Sequence, residues 1–188
     1  KMYIDKNIGR LNIQEVGSYL GSFESEDKIL VIYEDGTYGM TNFELSNRYR
    51  MSEIRDICKF NKESIYSILY YHGKLKRYYL KRFYIETQVF NKKFNLISDS
   101  RGSKLILFSK FKNFKIKYNY WTKRGEKKNN SLECQKIVDV KGWKSVGNQI
   151  DKKIRMSGFV FNKIDEDNLD ENELLKSNLD ENENLQLF

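Results

Sequence analysis

The sequence predicts an all-β protein built from repeated, propeller-like units. Three observations predict it: β-prone runs paired across turns, recurrence of those pairs at a near-regular interval, and scarce helical periodicity. The first pair is 28–33 with 37–43, joined by Glu34-Asp35-Gly36. Asp-Gly between two β-prone runs marks a tight hairpin, because Gly accepts positive φ without a Cβ clash. The second pair is 65–70 with 77–83, turning near Tyr71-His72-Gly73. The third is expected as 105–108 with 114–120, turning near 110–113. Their starts, Ile29, Ile65 and Leu105, lie 36 and 40 residues apart. An interval of that size points to propeller-like blades or another repeated β architecture, although a plain meander or barrel satisfies the same runs.

First strands such as Ile29-Leu30-Val31-Ile32 are apolar throughout, which predicts cover on both faces. The run Phe114 to Tyr120 alternates instead: Phe114, Ile116, Tyr118 and Tyr120 share one side, and Lys115, Lys117 and Asn119 the other. Residues 52–60 fit one short helical turn or a strand almost equally well. After Ile164 the chain turns acidic, with Asn-Leu-Asp-Glu-Asn-Glu at 168–173 and again at 178–183. Such sequence holds too few apolar anchors to offset ordering entropy. The expected organisation is therefore a folded domain over 1–164 and a mobile acidic tail over 165–188.

Composition narrows the function. The 188 residues hold 34 Lys+Arg, 26 Asp+Glu, one His, two Cys and no Pro. A mean hydropathy of −0.71 argues against an integral membrane protein, and no apolar run approaches the roughly 18 residues a spanning helix needs. Lys1 follows no start Met or signal-peptide core, which reads as a piece of a longer chain. Cys58 and Cys134 have no companions at metal-ligand spacing, so neither a disulfide scaffold nor a zinc module is expected, in keeping with a reducing cytoplasm.

The net charge of +8 conceals a division. Residues 165–188 carry nine acidic groups and one basic, net −8, leaving 33 basic and 17 acidic groups, net +16, in residues 1–164. An AT-rich coding composition accounts for part of the Lys excess but not for the segregation of the acids. A body of that charge points to a polyanionic partner.

Catalytic signatures are absent. The lone His72 sits beside Gly73 in an expected solvated turn, with no Ser/Asp or Cys arrangement at recognisable spacing. No GxxxxGK[ST] cradle occurs, and Gly9, Gly17 and Gly21 form no dinucleotide fingerprint. Asp165, Glu166 and Asp167 read as a solvated acidic run rather than a metal site. The basic residues are more informative. Lys74, Lys76, Arg77, Lys81 and Arg82 surround the second hairpin; Lys110, Lys112, Lys115 and Lys117 populate the third. Lys123, Arg124, Lys127 and Lys128 follow in an expected loop, and Lys141, Lys144, Lys152 and Lys153 continue the pattern. Cations spaced along a surface suit backbone phosphates and give salt-dependent, largely sequence-independent binding.

Several stretches resemble one protein family. They are Lys1-Met2-Tyr3-Ile4-Asp5, Arg10-Leu11-Asn12, Gly17-Ser18-Tyr19-Leu20-Gly21-Ser22-Phe23, and Asp27-Lys28-Ile29-Leu30-Val31-Ile32. Thr41-Asn42-Phe43-Glu44-Leu45, Tyr79-Leu80-Lys81-Arg82-Phe83 and Val140-Lys141-Gly142-Trp143-Lys144-Ser145-Val146-Gly147-Asn148 complete the set. Together, over roughly 1–155, they resemble the C-terminal region of the A subunit of bacterial type II topoisomerases, in the topoisomerase IV-like form of Bacteroidetes. The resemblance implies a propeller-like β-pinwheel of four-stranded blades, here a partial set, whose basic perimeter binds and bends double-stranded DNA. It implies presentation of the transported duplex and tuning of relaxation and decatenation, in a cytoplasmic, nucleoid-associated enzyme.

Cleavage chemistry in that family belongs to an Arg-Tyr nucleophile in an upstream breakage-reunion domain. ATP is used by the partner B subunit and Mg²⁺ by the cleavage core, so no cofactor is expected in this region. Arg48-Tyr49 and Arg77-Tyr78 lack the surroundings of the nucleophile motif. Gyrase pinwheels carry a Gln-Arg-Arg-Gly-Gly-Lys-Gly-type box; the nearest stretch here, Thr122-Lys123-Arg124-Gly125-Glu126-Lys127, lacks the Gly pair. That departure implies bending rather than full wrapping. The alternative reading is a β-propeller protein-interaction module whose basic surface is compositional.

Overall fold

The computed structural model describes residues 1–150 and 156–163. The expected acidic tail over 165–188 lies outside them, as do Lys152 and Lys153. Along the chain, β1 (Met2–Asp5), β2 (Arg10–Asn12) and β3 (Ser18–Gly21) form sheet I in the order β2-β1-β3. Next, β4 (Ile29–Tyr33) and β5 (Thr37–Thr41) form a hairpin, and β6 (Ile54–Lys59) returns beside β4 after a 3-10 turn at Met51–Glu53. A second hairpin, β7 (Tyr66–His72) with β8 (Arg77–Tyr84), opens sheet III. The chain then steps back: β9 (Lys93–Asn95) pairs with β5 and completes sheet II, and only afterwards does β10 (Lys104–Ser109) return beside β7.

Sheet IV repeats the scheme with β11 (Phe114–Trp121) and β12 (Lys127–Glu133). A short helix α1 (Cys134–Ile137) leads to β13 (Val140–Gly142) and β14 (Asn148–Gln149), both on the outer edge of β8. Finally β15 (Met156–Lys163) pairs with β11. Each unit is thus a hairpin plus a returning strand, and each lends a segment to the sheet before it. No helix among the described residues is long and apolar enough to cross a membrane.

The first two expected hairpins form. At the first turn the Asp35 carboxylate accepts from the backbone N–H and hydroxyl of Thr37, at 2.9 and 2.6 Å, while Gly36 takes φ 82°. The third does not form: residues 105–108 fall in β10 of sheet III, whereas 114–120 belong to β11, which pairs with β12 and β15. Both strands are β-prone and four to five residues of turn separate them, but Leu105 and Phe114 feed different cores. The central strands of sheets II, III and IV accordingly start at residues 29, 66 and 114, not at the regular spacing inferred from the sequence.

Alternation of side chains divides each inner strand between two cores. Ile29 and Val31 of β4 pack with Met2, Ile4 and Leu11 of sheet I; Leu30 and Ile32 pack on the other side with Tyr66, Ile68 and Tyr70 of β7. Leu69 and Leu80 then face Phe114, Ile116 and Tyr118 of sheet IV. Sheets I to IV are therefore stacked face to face, which explains why β4 is apolar throughout, β7 is buried over most of its length, and β11 alternates.

The borrowed segments act as clasps. Arg48 bridges Arg10 at the edge of sheet I, and the Tyr49 N–H donates to the Gly9 carbonyl at 2.9 Å. In sheet II, Phe90 bridges Met40 in parallel before the chain reverses and β9 runs antiparallel to β5. Sheet III repeats this turn: β13 is parallel to β8, the chain reverses through Trp143 to Gly147, and β14 is antiparallel. Gly147 has φ 92°, and a Cβ there would stand 2.6 Å from the Leu80 carbonyl oxygen. Aromatic rings seal the clasps, with Phe94 stacked on Tyr38 at 5.3 Å and Trp143 edge-on to it at 5.6 Å.

Candidate nucleic-acid interface

Thirteen of the fifteen expected phosphate-binding cations among the described residues stand at least partly in solvent, in distinct groups. Lys74, Lys76 and Arg77 occupy the β7–β8 tip. The loop before β10 folds against that tip: the Gly73 N–H donates to Ser103 Oγ at 3.0 Å and the Lys74 N–H to Ser100 Oγ at 3.4 Å. This contact carries exposed Arg101 and Lys104 to the same end of sheet III. Neither was singled out from the sequence, because only a long-range contact puts them beside Lys74.

Lys123, Arg124, Lys127 and Lys128 crown the β11–β12 tip, the corresponding position of the next unit. The turn is closed by Thr122 N–H to Glu126 O at 2.9 Å, with Gly125 at φ 83°. The equivalent tip of sheet II holds Glu34 and Asp35, so the charge of the sheet III and sheet IV tips is not repeated there. Lys110 and Lys112 lie at the opposite end of β11 from Lys123, about 26 Å away for eight residues of strand. Lys110 approaches Asp56 at 4.0 Å. Lys141 and Lys144 are exposed on the clasp at the edge of sheet III.

The outer face of sheet IV forms another group. Register places Lys115, Lys117 and Asn119 of β11 beside Ser131 and Asn129 of β12 and Asn162 and Val160 of β15. Lys117, Asn119, Asn129, Ser131, Val160 and Asn162 line a shallow cleft of about 650 Å³. The sequence reading named the lysines but missed the amides, whose convergence depends on the pairing of three strands. Lys115 reaches Glu133 at 3.5 Å and Lys128 reaches Glu126 at 3.6 Å. Lys117, Lys123, Arg124 and Lys127 have no carboxylate partner among the described residues.

Two residues expected on the DNA-facing surface are instead internal. Lys81 is 3% exposed; its Nζ donates to the carbonyls of Trp143 at 2.7 Å and Ser145 at 3.1 Å. Burial pushes its ammonium down to about 8. Arg82 is 6% exposed and donates to the carbonyls of Val138 at 3.1 Å and Lys112 at 2.8 Å. Burial lowers its ionisation as well. Adjacent on β8, they point to opposite faces of sheet III and hold the segments arriving from the last unit. Both are turned inward onto backbone carbonyls, so neither is available to the phosphates of a duplex on the surface.

His72 also departs from expectation. It ends β7, is 9% exposed, and lies against Tyr70 and Tyr79 at 6.3 and 5.8 Å between ring centroids. The tyrosines of the two Arg-Tyr pairs are engaged in the fold: Tyr49 shares a 2.7 Å hydrogen bond with Thr41, and Tyr78 donates to the Met156 carbonyl at 3.2 Å. Burial raises the ionisation of both phenols above the ordinary range. Cys58 and Cys134 are buried free thiols, each pushed up to about 12 by burial. No group of three or more metal-ligating side chains occurs among the described residues.

Stacked antiparallel sheets that trade edge segments, with cations at successive tips, define a β-pinwheel domain. The chain belongs to the topoisomerase C-terminal domain family of Bacteroidota, whose model matches residues 10–155, and it is thereby a domain of a topoisomerase. No curated protein matches the chain.

Proposed function

We propose that this chain is a non-catalytic DNA-binding and DNA-bending domain of a type II topoisomerase A subunit. In this reading it presents the transported duplex and tunes the preference between relaxation and decatenation. The observation that carries it is the set of solvent-facing cations without carboxylate partners on the last two units: Lys74, Lys76 and Arg77, then Lys117, Lys123, Arg124 and Lys127. These suit phosphates, which need positive charge at intervals rather than a base-reading fork. Because the tips recur at corresponding places in successive stacked sheets, a duplex following them meets positive charge from one unit to the next. Lys110, Lys112, Lys115, Lys128, Lys141 and Lys144 extend the same field to neighbouring edges. Strand cleavage, ATP and Mg²⁺ belong, in this proposal, to the breakage-reunion domain and the B subunit of a cytoplasmic enzyme acting on the nucleoid.

Salt-titrated binding to unrelated duplexes of equal length tests it. Replacing Lys117 and Lys127 with Ala should weaken all duplexes alike and lower the log–log salt slope by about 1.8, at about 0.9 for each phosphate no longer neutralised. No duplex affinity at physiological salt, or a slope unmoved by these changes and by Lys123→Ala/Arg124→Ala, would refute the proposal in favour of a protein-interaction surface.

A further inference from the structure

Between sheets II and III, near the end of β7, lies a cavity of about 170 Å³ lined in part by Tyr70, His72, Lys81, Ser98, Lys144 and Ser145. None of its lining residues is acidic. Lys81 has three N–H donors, and two are spent on the carbonyls of Trp143 and Ser145. Its charge is buried, and no carboxylate among the described residues acts on it. Ser145 Oγ is buried with no partner among the described residues.

The His72 Nδ1 accepts from the Leu75 N–H at 3.4 Å and lies 3.3 Å from Ser100 Oγ, which leaves Nε2 as the ring nitrogen for a further hydrogen bond. The Tyr70 hydroxyl is already committed to the Val146 carbonyl at 2.8 Å. The cavity is thus rich in N–H and O–H groups and built around an ammonium that is buried with no counter-ion among the described residues. A buried charge left in that condition is costly, and an anion is what relieves it.

We propose that this cavity is a binding site for one small oxyanion of the phosphate class. Lys81 supplies the charge, Ser145 and His72 supply hydrogen bonds, and Lys144 stands at the solvent side. The volume suits a single phosphate and excludes a phosphodiester with both its sugars, so the site shares with the proposed duplex surface no more than Lys144 at its mouth. Its walls include the clasp that joins the last unit to sheet III, so occupancy fastens that clasp.

The test is calorimetric titration of the full chain with inorganic phosphate at constant ionic strength, paired with thermal melts. Wild type should bind one equivalent, with a Tm rise of about 3 °C or more at saturating phosphate. Ser145→Val fills the cavity and removes a donor; it should weaken phosphate about tenfold or more. Ser145→Ala serves as the milder variant if the larger side chain impairs folding. Lys117→Ala, on the outer face of sheet IV, should bind phosphate as wild type does. The proposal is overturned if wild type takes up no phosphate at 20-fold more than the protein's concentration and into the ~10 mM range. It is equally overturned if phosphate and chloride raise Tm alike in wild type and Ser145→Val, which is general screening of a basic protein. Displacement of the phosphate by a short duplex would reassign the site to the DNA surface and overturn it too.

Discussion

Replacing Lys81 with Met should alter how stability depends on pH, and the size of the change follows from the burial of that ammonium. In the folded protein its ionisation falls from 10.5 to about 8. At 1.36 kcal/mol per unit, the charged form costs the fold about 3 kcal/mol near neutral pH. The folded value is the depressed one, so between pH 8 and 10.5 the unfolded chain binds the extra proton. Wild type therefore gains stability across that window, and the cost is fully present below pH 8. Met carries no proton. Integrating the two titrations, the free-energy gap between wild type and Lys81→Met should move by about 1 kcal/mol in favour of wild type from pH 7 to pH 9.

Other consequences of the substitution, above all the two carbonyls left without their donor, do not titrate and cancel from the comparison. So do the thiols of Cys58 and Cys134 and the phenols of Tyr38, Tyr66 and Tyr70. All are pushed up to about 12, and all weaken both proteins as pH rises past their unfolded values. Urea denaturation of both proteins at pH 7, 8 and 9, in phosphate-free buffer, measures the gap. A gap that stays constant within about 0.4 kcal/mol would refute the buried, charged lysine.

Two further outcomes test the clasps and the cores. Gly147→Ala puts a methyl group 2.6 Å from the Leu80 carbonyl at φ 92°, and should cost about 1–3 kcal/mol, seen as a lowered urea midpoint with an unchanged m-value. Cys58 and Cys134, buried and protonated, should resist a thiol-directed reagent at pH 8 in the native protein and react at once in denaturant. Fast native labelling of either would contradict the packing of the two cores they occupy.

Local chemistry made much of the fold legible. Asp35-Gly36 marks its hairpin because the carboxylate caps Thr37 and Gly tolerates positive φ, interactions that span three residues. The alternation in β11 likewise reports its one covered and one solvent-facing side. The misplaced third hairpin shows where this reading ends. Nothing within 105–120 distinguishes a turn that folds a strand back on its neighbour from one that carries it into the next sheet. The same holds for the buried charges: Lys81 and Arg82 look like Lys76 and Arg77 in sequence, and only the arrival of residues 112, 138, 143 and 145 beside β8 separates them.

The amino-acid order alone therefore determined the β class, the first two hairpins, the positive body and the family likeness, since each depends on composition or on neighbours a few residues apart. Tertiary structure alone decided which sheet owns each edge strand, which cations meet solvent, and where Arg101, Lys104 and the amides of sheet IV converge. Those outcomes rest on contacts between residues tens of positions apart, and desolvation, which turns a lysine from a phosphate ligand into a strut, exists only once the sheets have stacked.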